Sequence, residues 1–168
     1  MSRGPATIES RGKVLAAEEF AKALPAGARL LGLDVGTKTV GLALSDVTRT
    51  IASGLTTLAR AKFAADARRL LEITQEHGVG GLVIGLPISL DGSEGPRAQA
   101  TRAFTRNLAK LTPLPMLLWD ERLTTAAAER SLLEADVSRR RRSQVIDKVA
   151  ATLILQSALD RLKLFNRA

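Results

Sequence analysis

Three carboxylates stand where acids are costly unless chemistry requires them. They are Asp34 within LLGLDVG, Glu121 directly after MLLWD, and Asp147 within VIDKVAATLIL. Leu33 and Val35 flank Asp34, which makes an ordinary surface charge a poor account of it. The plainer alternative is an aspartate capping the turn at Gly36 to Lys38. Asp120 and Glu121 end a second short apolar run, and strand alternation sends them to opposite sides, so only one can share a pocket with Asp34. Asp147 reads as a residue in the first turn of the last helix, where the helix dipole favours a carboxylate. Ala150 and Ala151, at i+3 and i+4 from it, are small enough to bring that helix close to a sheet. Converging carboxylates repel one another unless cations neutralise them. With no cysteine and a lone His77, any metal must sit on oxygen, which suits Mg2+ or Mn2+. Two such ions roughly 4 Å apart can clamp a phosphodiester, one activating water and the other stabilising the leaving 3′ oxygen, with no histidine or serine nucleophile.

Other residues suit the substrate of such a site. Gly36, Thr37 and Lys38 put backbone amides, a hydroxyl and an ammonium beside Asp34, a combination able to hold a phosphate. Arg139, Arg140, Arg141 and Arg142 precede Asp147 and could hold a nucleic-acid backbone against it, although a charge run is often only a solvated face. Arg122 could serve a phosphate too, or form a salt bridge with Asp120 or Glu121. Arg97 and Arg102 extend the basic character, and the glycine-rich stretch Ile88 to Pro96 reads as a flap over the site. His77 and Trp119 read as structural. The net charge of +8 agrees with a polyanionic partner, and 3% aromatic residues argue against extensive base stacking. No apolar run reaches the roughly 20 residues that cross a bilayer, and the first residues lack the apolar core of a signal peptide, so a cytoplasmic protein without membrane partners is expected.

These residues require elements to position them. The pattern predicts a buried strand from about Arg29 to Val35, a hairpin through Gly36, which is free to take positive φ, a second strand over Thr39 to Ser45, and a third over Ile51 to Leu58. A helix from Phe63 to near Gly78, a central strand over Leu82 to Leu86, a helix ended by Pro113 and Pro115, and a strand over Met116 to Trp119 come next. A helix from Thr124 or Thr125 to about Ala135 and a last one from about Ser143 to Leu164 complete an α/β domain on a mixed five-stranded sheet. Residues 1–27, with glycines and prolines around a short helix-compatible stretch from Val14 to Leu24, read as an extension that is flexible in character, and 28–168 as the domain. Ile154, Leu155, Ala158, Leu159 and Leu162 form an apolar surface that is either core or an interface, so monomer and homodimer both remain open.

Four segments, LGLDVGTKTVGLALSD, LVIGLP with LDGSEGP, LLWDERLTT and IDKVAAT, together resemble the YqgF family, also called RuvX. That resemblance implies an RNase H-like fold whose first three strands form an antiparallel meander. It implies that Asp34, Glu121 and Asp147 are metal-binding acids, and leaves open whether Asp120 helps them. Members are described as nucleases that mature the 5′ end of precursor 16S rRNA, and some as resolvases of four-way DNA junctions. DVGTKTVG is also similar to the first phosphate loop of actin-like ATPases, but 168 residues leave no room for the second domain those proteins need. A nucleic-acid binder without catalysis is the remaining alternative.

Overall fold

A computed structural model describes residues 12–124 and 139–165, with the backbone alone for 139–147. Strand β1 (Arg29–Val35) is apolar at nearly every position and buried on both faces. It pairs antiparallel with β2 (Thr39–Ser45), which pairs antiparallel with β3 (Ala52–Ala59). On its other side β1 runs parallel to β4 (Val79–Leu86), and β4 parallel to β5 (Met116–Asp120). The order across the sheet is therefore β3-β2-β1-β4-β5, the expected mixed sheet with an antiparallel meander. All eight residues of β4 are buried, as a parallel strand covered on both faces must be.

Helices α2 (Phe63–Glu76) and α3 (Pro96–Ala109) cover one face. There Leu31, Leu33, Val35 and Ile84 share a core with Leu70, Phe104 and Leu108. Helix α4 (Arg139–Leu162) covers the other, where Leu30, Val83, Leu117 and Trp119 pack against Ile154, Leu155, Ala158 and Leu159. The apolar row of α4 is thus core: none of its residues from Ile154 through Leu162 named above is more than 5% exposed. Glycines let α4 lie close. A Cβ on Gly32 would fall 2.8 Å from Leu155 Cβ and 3.1 Å from the Ala151 carbonyl oxygen, so any other residue there would push the helix off the sheet.

Four expectations need correction. Among the described residues Gly36 is not one of the positive-φ glycines; those are Gly27, Gly78 and Gly92. What the turn requires at Gly36 is space, because its N–H donates to the Thr39 carbonyl at 2.8 Å and a Cβ would approach that oxygen to 3.0 Å. Second, α4 begins at Arg139 and not near Ser143, which puts Asp147 eight residues into the helix and removes the dipole argument for it. Arginine is a good helix former, and no breaker separates the run from Ser143 and Gln144. Third, β4 starts at Val79, since Gly80 and Gly81 are accommodated inside a covered strand. Fourth, residues 12–27 are not a loose extension. Val14 bridges Met116 in parallel fashion, and the short helix α1 (Ala17–Ala23) buries Phe20 completely in the α4-side core. The helix expected over Thr124 to Ala135 falls almost wholly outside the described residues.

Candidate active site

Because Leu31, Leu33 and Val35 face α2 and α3, alternation turns Gly32 and Asp34 toward α4. Asp34 is 3% exposed, so a carboxylate sits almost dry at the carboxyl end of β1, where open α/β sheets hold their ligands. In the parallel register Leu33 pairs with Ile84, which places Gly85 beside Asp34 on the next strand, about 4.8 Å away. Gly85 is the key to the second acid. The position a Cβ would take on it lies 3.2 Å from Glu121 Oε1 and 2.5 Å from Ile154 Cδ1, so the Glu121 carboxylate reaches back over β4 on the α4 face. Asp34 and Glu121 therefore come to the same side of the sheet on neighbouring strand ends.

The third expected acid, Asp147, is placed by its backbone only. It stands one turn before Ala150 and Ala151 and two before Ile154, all fully buried, and so belongs to the helix row that meets the sheet. Its side chain and those of Arg139 to Arg142 lie outside the described residues. Among the described residues no three His, Cys, Asp or Glu side chains gather as a metal site.

Asp120 takes another course. It accepts from the Arg122 backbone N–H at 2.9 Å, capping the 3-10 turn Glu121–Leu123, and its carboxylate pairs with the Arg122 guanidinium at 2.7 Å. That hydrogen bond holds the Asp120 carboxyl below its usual range and raises Arg122. Asp120 is thus committed to Arg122, and the salt-bridge account of Arg122 holds for Asp120.

The Gly36 to Lys38 turn is braced by a residue that sequence reasoning does not single out. Arg60, just past the end of β3, donates from its backbone to the Lys38 carbonyl at 2.8 Å and from Nη1 to the Gly36 carbonyl at 2.7 Å. Its guanidinium is held in turn by Asp66 at 3.2 Å and by the Phe104 ring, 5.4 Å from the centroid. Only the hairpin register could have revealed it, since Arg60 looks like a loop arginine in sequence. The Ile88 to Pro96 stretch is organised by its own hydrogen bonds: Ser93 donates to Asp91 Oδ1, and Gly92 donates to the Ser89 carbonyl. With Glu121 and Arg122 this stretch lines a cavity of about 660 Å3. His77 caps α2, and Trp119 is buried, as expected.

A five-stranded sheet of this order, with acids at the carboxyl ends of β1 and just past β5, defines an RNase H-like domain. Solved structures agree on the fold. Thermus thermophilus RuvC superposes with a TM-score of 0.51 at 13% identity, over 81% of this chain and 97% of that one. RuvC from the same organism in complex with a Holliday junction substrate gives a TM-score of 0.50 at 11% identity, over 80% and 95%. The chain belongs to the RuvX family, whose model, described as Holliday junction resolvase, matches residues 28–161. A Paracoccus denitrificans protein provisionally named a pre-16S rRNA nuclease is 61% identical over 150 residues, covering 89% of this chain and 95% of the relative. A Rhodobacter capsulatus protein of the same name is 58% identical, covering 90% and 95%.

Proposed function

We propose that this chain is a divalent-metal-dependent, cytoplasmic nuclease that hydrolyses phosphodiester bonds in precursor 16S rRNA during maturation of its 5′ end. The observation that carries this reading is the buried Asp34 beside Gly85, with the Glu121 carboxylate standing over that glycine. Two carboxylates on the same face at neighbouring strand ends, one of them buried and the other half-buried, are stabilised when a cation lies between them. The donor set is oxygen alone, which fits Mg2+ or Mn2+, and Asp34, Glu121 and Asp147 are the residues that would hold it. When bound, the metal supplies Lewis-acid stabilisation and an activated water.

The chain's own residues do the rest. Asp34 is fixed by its strand, and Glu121 by the turn that Asp120 caps, so both acids are positioned before substrate arrives. The Gly36–Thr37–Lys38 turn, locked by Arg60, offers amides, a hydroxyl and an ammonium to a phosphate next to Asp34. Arg139 to Arg142 supply further charge for the backbone. No described helix is long and apolar enough to cross a membrane.

The test is cleavage of labelled precursor rRNA and of a four-way DNA junction in parallel, with Mg2+, Mn2+ or chelator, using wild type and Asp34→Asn. Metal-dependent cutting of the RNA, lost by at least about 100-fold in the variant, is expected. Paired symmetric nicks in the junction alone would make the protein a resolvase, and cleavage of neither would make it a binding protein.

A further inference from the structure

Three arginines near the carboxyl edge of the sheet have their charges already matched: Arg60 by Asp66, Arg102 by Glu94 and Arg122 by Asp120. Arg97 differs from them. It is exposed, and it makes no ion pair among the described residues. Its position is also distinctive, because two cavities meet at it. The larger, about 660 Å3, contains Glu121 and Arg122; the smaller, about 300 Å3, contains Gly36, Thr37 and Arg60; Pro96 and Arg97 line both.

The start of α3 adds to this. Gly95 gives no side-chain cap, Pro96 has no N–H, and no acid occupies the first turn of this 14-residue helix, so its positive end is uncompensated. Independently, Thr101 lines the smaller cavity while only 2% exposed, and its hydroxyl has no hydrogen-bond partner among the described residues. An exposed guanidinium with no ion pair among the described residues, the start of α3 and Thr101 line one concavity. That donor set matches a phosphodiester oxygen.

We propose that Arg97, with the α3 N-terminus and the Thr101 hydroxyl, binds a backbone phosphate of the nucleic acid at a point separate from the acids. This subsite sets the path of the strand between the Gly36 to Lys38 turn and Glu121. It rests on the nuclease reading above, which it deepens by assigning a second contact. Arg102, on the same helix, takes no part, because Glu94 already holds it.

The experiment measures binding without cleavage. A 5′-labelled 20-nucleotide single-stranded RNA is titrated in chelator by fluorescence anisotropy, between about 50 and 200 mM KCl. Losing one phosphate contact should flatten the slope of log K against log[KCl] by about 0.7 in Arg97→Ala, while Arg97→Lys keeps the wild-type slope and Arg106→Ala, which lines neither cavity, leaves it unchanged. Thermal melts should coincide for all four proteins, as these side chains are exposed. An unchanged slope in Arg97→Ala, with a wild type that binds and cleaves, overturns this subsite and leaves the nuclease reading standing. A flattened slope in Arg106→Ala equal to that in Arg97→Ala also overturns it, since the effect would then be general charge. A wild type that neither binds nor cleaves sinks both.

Discussion

Replacing Gly85 by alanine adds one methyl group at the point where β4, Glu121 and α4 meet. That methyl would stand 2.5 Å from Ile154 Cδ1, 3.2 Å from Ile154 Cγ1 and 3.2 Å from Glu121 Oε1. Ile154 is fully buried and has little freedom to retreat, so overpacking should cost about 1 to 3 kcal/mol. At roughly 2 to 4 °C per kcal/mol for a chain of this size, the melting temperature should fall by about 2 to 12 °C. The effect on function should be larger. Glu121 must yield by a few tenths of an ångström, and small misplacements of a reacting group cost up to about 100-fold in rate. Gly81→Ala serves as the control, on the same strand and face, where the methyl presses on Leu24 at 2.7 Å and Phe20 at 2.9 Å, away from both acids. The assay is precursor rRNA cleavage at a temperature where both variants are folded by circular dichroism. Loss of cleavage in Gly85→Ala but not in Gly81→Ala is expected; equal melting losses with wild-type cleavage in both would refute the placement of the Glu121 carboxylate in the site.

Phe20→Ala should destabilise the protein by about 3 to 5 kcal/mol, read from urea unfolding, because the ring is fully buried in the α4-side core; a cost under about 1 kcal/mol would show that α1 is dispensable. Asp46 is held down from 3.8 to about 2, first by the Thr48 hydroxyl and then by the Ile51 and Thr50 amides. Since its folded value is depressed, its contribution is present above about pH 4 and fades as pH falls through about 2. Asp46→Asn should therefore be less stable than wild type at neutral pH, with the gap closing in acid; a gap constant down to about pH 2 would contradict this.

Much of the scaffold is legible in the chain because buried strands and amphipathic helices leave periodic apolar patterns. LLGLDVG announces a covered strand with an acid at its end, and the structure puts Asp34 there. Other features are hidden by their physics. Arg122 carries two readings in sequence, and only the placement of the Asp120 carboxylate within 2.7 Å of its guanidinium decides that they pair. The start of α4 is misleading in sequence because four arginines at a helix N-terminus oppose the dipole, although their propensity for helix is high. Phe20 escapes notice since seven helical residues flanked by glycine and proline carry too little periodicity to reveal what they bury.

The sequence by itself determined the sheet's composition, the oxygen-only donor set and the basic charge, all of which depend on residue types and local spacing. Tertiary structure decided which acids share a face. That depends on the parallel register of β1 with β4, on a missing side chain at Gly85 and on the close approach of α4. Each of these is a contact between segments far apart in the chain, beyond the reach of any local pattern.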